Sequence, residues 1–418
     1  MRTRHFLGSV IVLASLPLFF GCGGTQETPA DLSPDGLVVP TIVPGTTSLP
    51  LVQPNPYEGV VVFDAGTEVQ DIEDIAAEFQ IEILDMVVRP AGAIVRFGGV
   101  EHDDYEELRM ADGVAGADPN LAVQIGESQT LILGFLEGEW SQTRIQEQAW
   151  IADLGLSDLH RQGKDGDGVV VAMLDTGADL DHPALVGKVQ SVPQSSVFGS
   201  EELLDDVDDD QDGLFSECYG HGTHVAGCVA TVAPGATLLP IRVMNDDGTG
   251  SLWDIVRGID WARDYGVDII NLSLSVLEFN QTMEAALEEC ALEEIAVLAA
   301  AGNGGNRHPR YPATSSYVAG VASVDASNYL STFSGGGDRI PLAAPGETIS
   351  SSYPGGLMCQ ATGTSMASPI AAGCVALVMQ ATGAAPTTAL HMVVANTVDI
   401  TPVIGVNSGR VAPVLVFE

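Results

Sequence analysis

Gly168-Val169-Val170-Val171-Ala172-Met173-Leu174-Asp175-Thr176-Gly177 is an unbroken apolar run closed by a carboxylate, a hydroxyl and a glycine. A run without polar alternation marks a strand buried on both faces, as in a parallel sheet with helices on each side. Residues 237–243, 267–272, 295–300 and 317–324 repeat the theme. Helical periods lie between them. Ser251 is placed to cap one whose apolar face is Leu252, Ile255, Val256 and Ile259, and residues 281–292 form another with Met283, Leu287, Cys290 and Ala291 inward. This alternation predicts an α/β fold, a mostly parallel sheet covered by helices on both faces, with functional side chains at the strand carboxyl ends. Asp175 sits at such an edge, where a carboxylate is rigidly mounted and can orient an imidazole.

A smaller unit precedes this one. Residues 59–63 are β-rich, residues 69–79 carry Val69, Ile72, Ile75, Ala76 and Phe79 at helical spacing, and residues 81–88 and 93–97 read as strands. A second helix over 102–110 and a strand over 114–125 complete a βαββαβ order, the α+β split-βαβ plan. Residues 126–139 read as a linker and 140–418 as the α/β domain.

The amino terminus reads as an export signal: Arg2 and Arg4, an apolar stretch over 6–20 too short for a comfortable membrane span, then Gly21-Cys22. This end resembles a bacterial lipobox, in which Cys22 carries the lipid; Phe19 replaces the usual leucine, and ordinary signal cleavage is the alternative. Gly23 after the cysteine favours the outer membrane or cell surface over retention. Residues 23–56, rich in Thr, Pro and Gly, read as a flexible tether.

The 418 residues carry 56 Asp and Glu against 16 Lys and Arg, a formal charge of -40, which excludes nucleic-acid or anionic-membrane binding as a main role. Of the six cysteines, removal of Cys22 leaves an odd number, so at least one thiol should be free. Cys228, Cys290 and Cys374 fall in apolar helical runs and read as buried hydrophobes; a Cys218–Cys359 bridge is left open.

Three further stretches carry chemistry. Gly363-Thr364-Ser365-Met366-Ala367-Ser368-Pro369 leads into an apolar run over 370–379, placing Ser365 at or beside a helix N-terminus where N–H groups favour developing negative charge. Pro369 has no N–H for the Ser365 carbonyl and should bend the helix. Gly220-His221-Gly222-Thr223-His224 opens another helical run, with His221 expected to face a cleft and His224 suited to the core. Two histidines three apart could bind zinc, but no H-E-x-x-H pattern or third ligand accompanies them. Asn303 follows a buried strand in Ala301-Gly302-Asn303-Gly304 and can offer its amide to an oxyanion. Asp-Thr-Gly also occurs in aspartic proteases, which need two facing copies; one is present.

Together these blocks resemble the subtilisin-type serine proteases, the subtilases, over residues 140–418 and in that family's Asp, His, Ser order. The resemblance implies that Asp175 orients His221, that His221 is general base and then acid, and that Ser365 is the nucleophile. Asn303 and the Ser365 N–H would form the oxyanion hole. Leu272, Ser273, Leu274 and Ser275, with Ala301 and Gly302, correspond to substrate-binding backbone; Ser275 stands where glycine is common, and Ile370 where the family usually has histidine. The unit at 57–125 is similar to the family's propeptide, an intramolecular inhibitor removed by self-cleavage between 126 and 139. The substrates implied are polypeptides, and the chemistry needs no cofactor. A rival reading is a surface scaffold that keeps the fold without the activity, and another is a peptidase that cuts only its own propeptide.

Asp208, Asp210 and Asp212, followed by Gly213, have the D-x-D-x-D-G spacing that can turn carboxylates toward one structural calcium ion. Tyr219 stands where an EF-hand needs glutamate, and a solvated charge run is the alternative.

Overall fold

A computed structural model describes residues 57–89, 92–125, 133–191, 199–204, 207–208, 215–276, 278–305, 308–398 and 409–412. All lie within the compact unit Ile42–Glu418. The signal, Cys22 and the tether lie outside the described residues, as do Asp210 and Asp212.

The N-terminal part runs β1 (Glu58–Phe63), α1 (Val69–Phe79), β2 (Glu82–Arg89), β3 (Gly92–Gly98), α2 (Asp104–Leu108) and β4 (Val114–Pro119). The strands form an antiparallel sheet in the order β2-β3-β1-β4, the split-βαβ arrangement. Its core sets Ile72, Ile75 and Ala76 of α1 and Leu108 of α2 against Val61, Phe63, Val95 and Phe97. The strand expected over 114–125 is broken in two. Pro119 lacks an N–H and ends β4; β5 (Ala122–Gln124) leaves the sheet and pairs antiparallel with β9 (Thr249–Ser251).

Part of the expected linker is also ordered. Residues Leu133–Glu139 form β6, which pairs antiparallel with β15 (Leu357–Ala361), and β15 pairs with β14 (Ile349–Tyr353). Three short helices follow: α3 (Gln142–Gln146), α4 (Ala149–Asp153) and α5 (Leu156–Arg161).

The main sheet consists of β7 (Val170–Asp175), β8 (Thr237–Arg242), β10 (Ile269–Leu272), β11 (Ala296–Ala300), β12 (Ala319–Val324), β13 (Leu342–Pro345) and β16 (Gly409–Arg410). All are parallel, in the order β16-β13-β12-β11-β10-β7-β8. On one face lie α6 (His221–Val232), α9 (Thr364–Thr382) and α10 (Pro386–Ala395); on the other lie α7 (Leu252–Asp264) and α8 (Gln281–Leu292). Ser251 caps α7 in a reciprocal capping box with Asp254, and Asn280 caps α8 through the Met283 N–H. In α8, Met283, Ala286, Leu287 and Cys290 are buried, whereas Ala291, read as inward, is only partly so. Helix α9 is long and apolar enough to cross a membrane, but it is buried as a core helix.

The chain goes outward from β7 to β8, then returns to the other side of β7 to lay down β10. Strand order therefore reverses at β7/β10, which opens a crevice beyond the carboxyl ends of these strands.

Candidate active site

Asp175 is the last residue of β7, at that reversal point, and His221 is the first residue of α6. Two glycines let the helix start close on the strand end. A Cβ at Gly222 would lie 2.0 Å from the Gly177 carbonyl oxygen, and one at Gly220, whose φ is 91°, would lie 2.3 Å from the Tyr353 ring. His221 Nδ1 lies 2.7 Å from Asp175 Oδ1, and the Thr176 N–H donates to the same oxygen at 2.8 Å. A carboxylate can only accept, so the neutral ring holds its proton on Nδ1 and presents Nε2 as a base. His221, expected to face a cleft, is buried at 1% exposure, and Asp175 at 2%. His224 is a core histidine, with Nε2 2.9 Å from the Ile349 carbonyl oxygen.

Ser365 is the second residue of α9, so it stands at the helix N-terminus as its sequence context requires. Its hydroxyl donates to the Ser273 carbonyl at 3.3 Å, and the Ser273 hydroxyl donates to the Ser365 carbonyl at 2.9 Å. That carbonyl is the one Pro369 cannot serve, and the helix continues through the proline. A buried polar chain extends the support. Asn271 Nδ2 donates to Ser273 Oγ at 3.0 Å, and Ser368 Oγ donates to Asn271 Oδ1 at 2.7 Å.

Asn303 follows β11, and its Oδ1 accepts both the N–H and the hydroxyl of Thr364, each at 2.9 Å. Thr364 Oγ1 in turn accepts the Gly302 N–H at 3.0 Å. With the amide oxygen committed to two donors, the Asn303 NH2 is turned the other way.

The residues read as a substrate-binding floor divide. Leu272 and Leu274 are buried in the core beneath α7 and α8, Ser273 supports Ser365, and Ser275 is partly exposed. Ala301 and Gly302 use their backbone groups internally: Ala301 N–H to Val321, Ala301 C=O from Arg310, Gly302 N–H to Thr364 and Gly302 C=O from Gly335. They can offer a substrate contact surface but none of these hydrogen bonds. For the proposed cation site, only Asp208 of the three carboxylates is described; among the described residues no group of three metal-ligating side chains occurs. The Cys218–Cys359 bridge left open in the sequence is not formed: both side chains are buried and outside any disulfide, as are Cys228, Cys290 and Cys374.

Sequence reasoning missed two supports of the site. Asn271, a polar residue in the middle of a buried strand, was a visible signal, since a buried amide needs partners. Glu202 gave none, being one of many acidic residues. Its carboxylate is nevertheless enclosed beside the Asp175–Thr176 turn, and burial pushes its pKa up to about 7.

The model of the subtilase family matches residues 166–410, over half of the chain. An intracellular serine protease of Paenibacillus polymyxa is 38% identical over 229 residues, covering 51% of this chain and 68% of its own. Subtilisin BL of Lederbergia lenta is 34% identical over 250 residues (58% and 84%), and thermitase of Thermoactinomyces vulgaris 37% over 219 (50% and 74%). The crystal structure of fervidolysin from Fervidobacterium pennivorans superposes with a TM-score of 0.69 at 22% identity; the match covers 88% of this chain and 62% of that one, and speaks to fold. The chain belongs to the subtilase family of serine-type endopeptidases.

Proposed function

We propose that the protein is an exported, self-processing endopeptidase in which Asp175, His221 and Ser365 act as one catalytic unit. His221 Nε2 takes the Ser365 hydroxyl proton as Oγ attacks the carbonyl carbon of the scissile peptide bond. The tetrahedral oxyanion is met by the Ser365 N–H at the start of α9 and by Asn303 Nδ2. Asp175 holds the imidazolium through Nδ1–H, and the imidazolium gives its proton to the leaving amine. Water repeats the sequence on the acyl-enzyme and releases the carboxylic acid.

The observation that carries this reading is the 2.7 Å bond between a buried carboxylate at a strand's carboxyl end and an imidazole at a helix start. A fluorophosphonate probe tests it. The probe should attach to Ser365, located by peptide mass, and labelling should vanish in His221→Ala; labelling undiminished in that variant contradicts the reading.

The unit at 57–125 acts, in this proposal, as an intramolecular inhibitor. Supporting this, β5 pairs with β9 and the Ile125 N–H reaches the Gly248 carbonyl at 2.9 Å, a strand addition of the kind by which an extended peptide is held. Side chains of this unit also meet both helices of that face. Asp118 accepts the Thr282 N–H of α8, and Asn120 accepts the Trp253 N–H of α7. Export through residues 1–22, lipid on Cys22 and structural calcium at Asp208, Asp210 and Asp212 complete the proposal. The calcium would add stability and no chemistry; melting curves that coincide in excess chelator and in millimolar calcium would dismiss it.

A further inference from the structure

Helix α6 has no side-chain cap of its own, because its N-cap residue is Gly220. Its first N–H groups are satisfied from elsewhere. The Gly220 N–H donates to Glu202 Oε1 at 2.6 Å, and the Thr223 N–H to Glu202 Oε2 at 3.2 Å. The Gly222 N–H donates to Thr176 Oγ1 at 2.9 Å, and that hydroxyl donates to Glu202 Oε1 at 2.6 Å. The Thr223 hydroxyl also donates to Glu202 Oε2. One carboxylate thus receives donors from the residue after Asp175 and from residues on both sides of His221.

All these donors are neutral. The ionisable groups that sense Glu202 from the surrounding elements are Asp175 at the end of β7, Tyr219 ahead of α6, Tyr353 on β14 and Cys359 on β15. Among the described residues no lysine or arginine pairs with it. Burial dominates, outweighing the bonds from Thr176, Thr223 and Gly220 that favour the charged form, and Asp175 adds to it, so the carboxyl is pushed up to about 7. Its charge at the start of α6 favours the protonated form of an imidazole mounted there.

We infer that Glu202 is a positioning residue of the peptidase: it ties the strand end that carries Asp175 to the helix start that carries His221, and its charge sets the pH at which His221 becomes a base. This rests on the catalytic reading above, and the test separates the two. The rate of fluorophosphonate labelling of the full chain is measured against pH for wild type, Glu202→Gln and Glu202→Asp. Labelling of wild type that survives Ser365→Ala removes the catalytic reading itself. With that reading intact, Glu202→Gln should move the acid limb to lower pH by roughly half a unit. Its plateau should fall about threefold to tenfold, because one amide oxygen cannot receive all the donors that two carboxylate oxygens did. Glu202→Asp should leave the limb in place. A limb that is unmoved in Glu202→Gln, or that moves equally in both variants, overturns the inference. Should Glu202→Gln fail to fold, the Ser365→Ala chain is titrated by carbon-13 NMR. Reciprocal inflections of the Glu202 carboxyl and the His221 ring are expected, and two independent single titrations overturn the inference.

Discussion

Asn303 Oδ1 receives the backbone N–H and the hydroxyl of Thr364, each at 2.9 Å, so Thr364 holds the oxygen end of the Asn303 amide. Removal of the NH2 in Asn303→Ala should lower kcat by about a hundredfold to a thousandfold and leave KM nearly unchanged, since the bond matters only once the oxyanion forms. Thr364→Val keeps the backbone donor but frees the amide to turn; it should cost about tenfold in kcat. Steady-state hydrolysis of a peptide anilide reports both.

Asp118 ties the N-terminal unit to the catalytic domain. Its Oδ2 accepts the Thr282 N–H at 2.6 Å and the Thr282 hydroxyl at 2.8 Å, while Oδ1 accepts Arg109 Nη2 at 2.7 Å. Asp118→Ala leaves a helix N-terminus and a guanidinium without this partner. In the Ser365→Ala background it should destabilise the docked unit by about 1–3 kcal/mol, seen as a lower denaturant midpoint. Asn120→Ala should cost less, because its amide oxygen accepts the neutral Trp253 N–H, whereas the Asp118 carboxylate serves three donors, one of them charged.

The thiols should be inert in the folded protein. Burial pushes Cys228, Cys290 and Cys374 up to about 12 and raises Cys359 as well, so the thiolate that reacts is scarce. A disulfide reagent at mildly alkaline pH should modify none of the described cysteines natively and all of them after denaturation. Rapid native modification contradicts this.

Glu202 also makes stability depend on pH. Its folded pKa of about 7 exceeds that of an unfolded glutamate, so the folded state holds a proton that the unfolded chain releases. The contribution is full below the unfolded value and is lost as pH rises through the folded one. From about pH 4.5 to 7, wild type should therefore lose about 3 kcal/mol relative to Glu202→Gln, which lacks the ionisation. Urea unfolding in the Ser365→Ala background at several pH values gives the difference directly.

The features legible in the sequence are those written in a local run. Residues 169–174 announced a doubly buried strand because nothing polar interrupts them, and α1 and α8 fell where their apolar periods placed them. The motif around Ser365 placed the serine at a helix start, and the loss of an N–H at Pro369 pointed to an orphan carbonyl, whose partner proved to be Ser273. What stayed hidden depends on long-range pairing. Residues 133–139 carry no strong period and become a strand only because β15 offers an edge. Glu202 lies far from both Asp175 and His221 in sequence, and no local pattern distinguishes a carboxylate that donors from two separate segments converge on from one left in solvent.

The most direct measurement is the intact mass of the purified full chain after incubation, for wild type beside Ser365→Ala. If Ser365 is the nucleophile, wild type gains a new N-terminus between residues 126 and 139 while Ser365→Ala keeps its full length. Processing of Ser365→Ala at the wild-type position and rate, with no other protease present, would contradict the account.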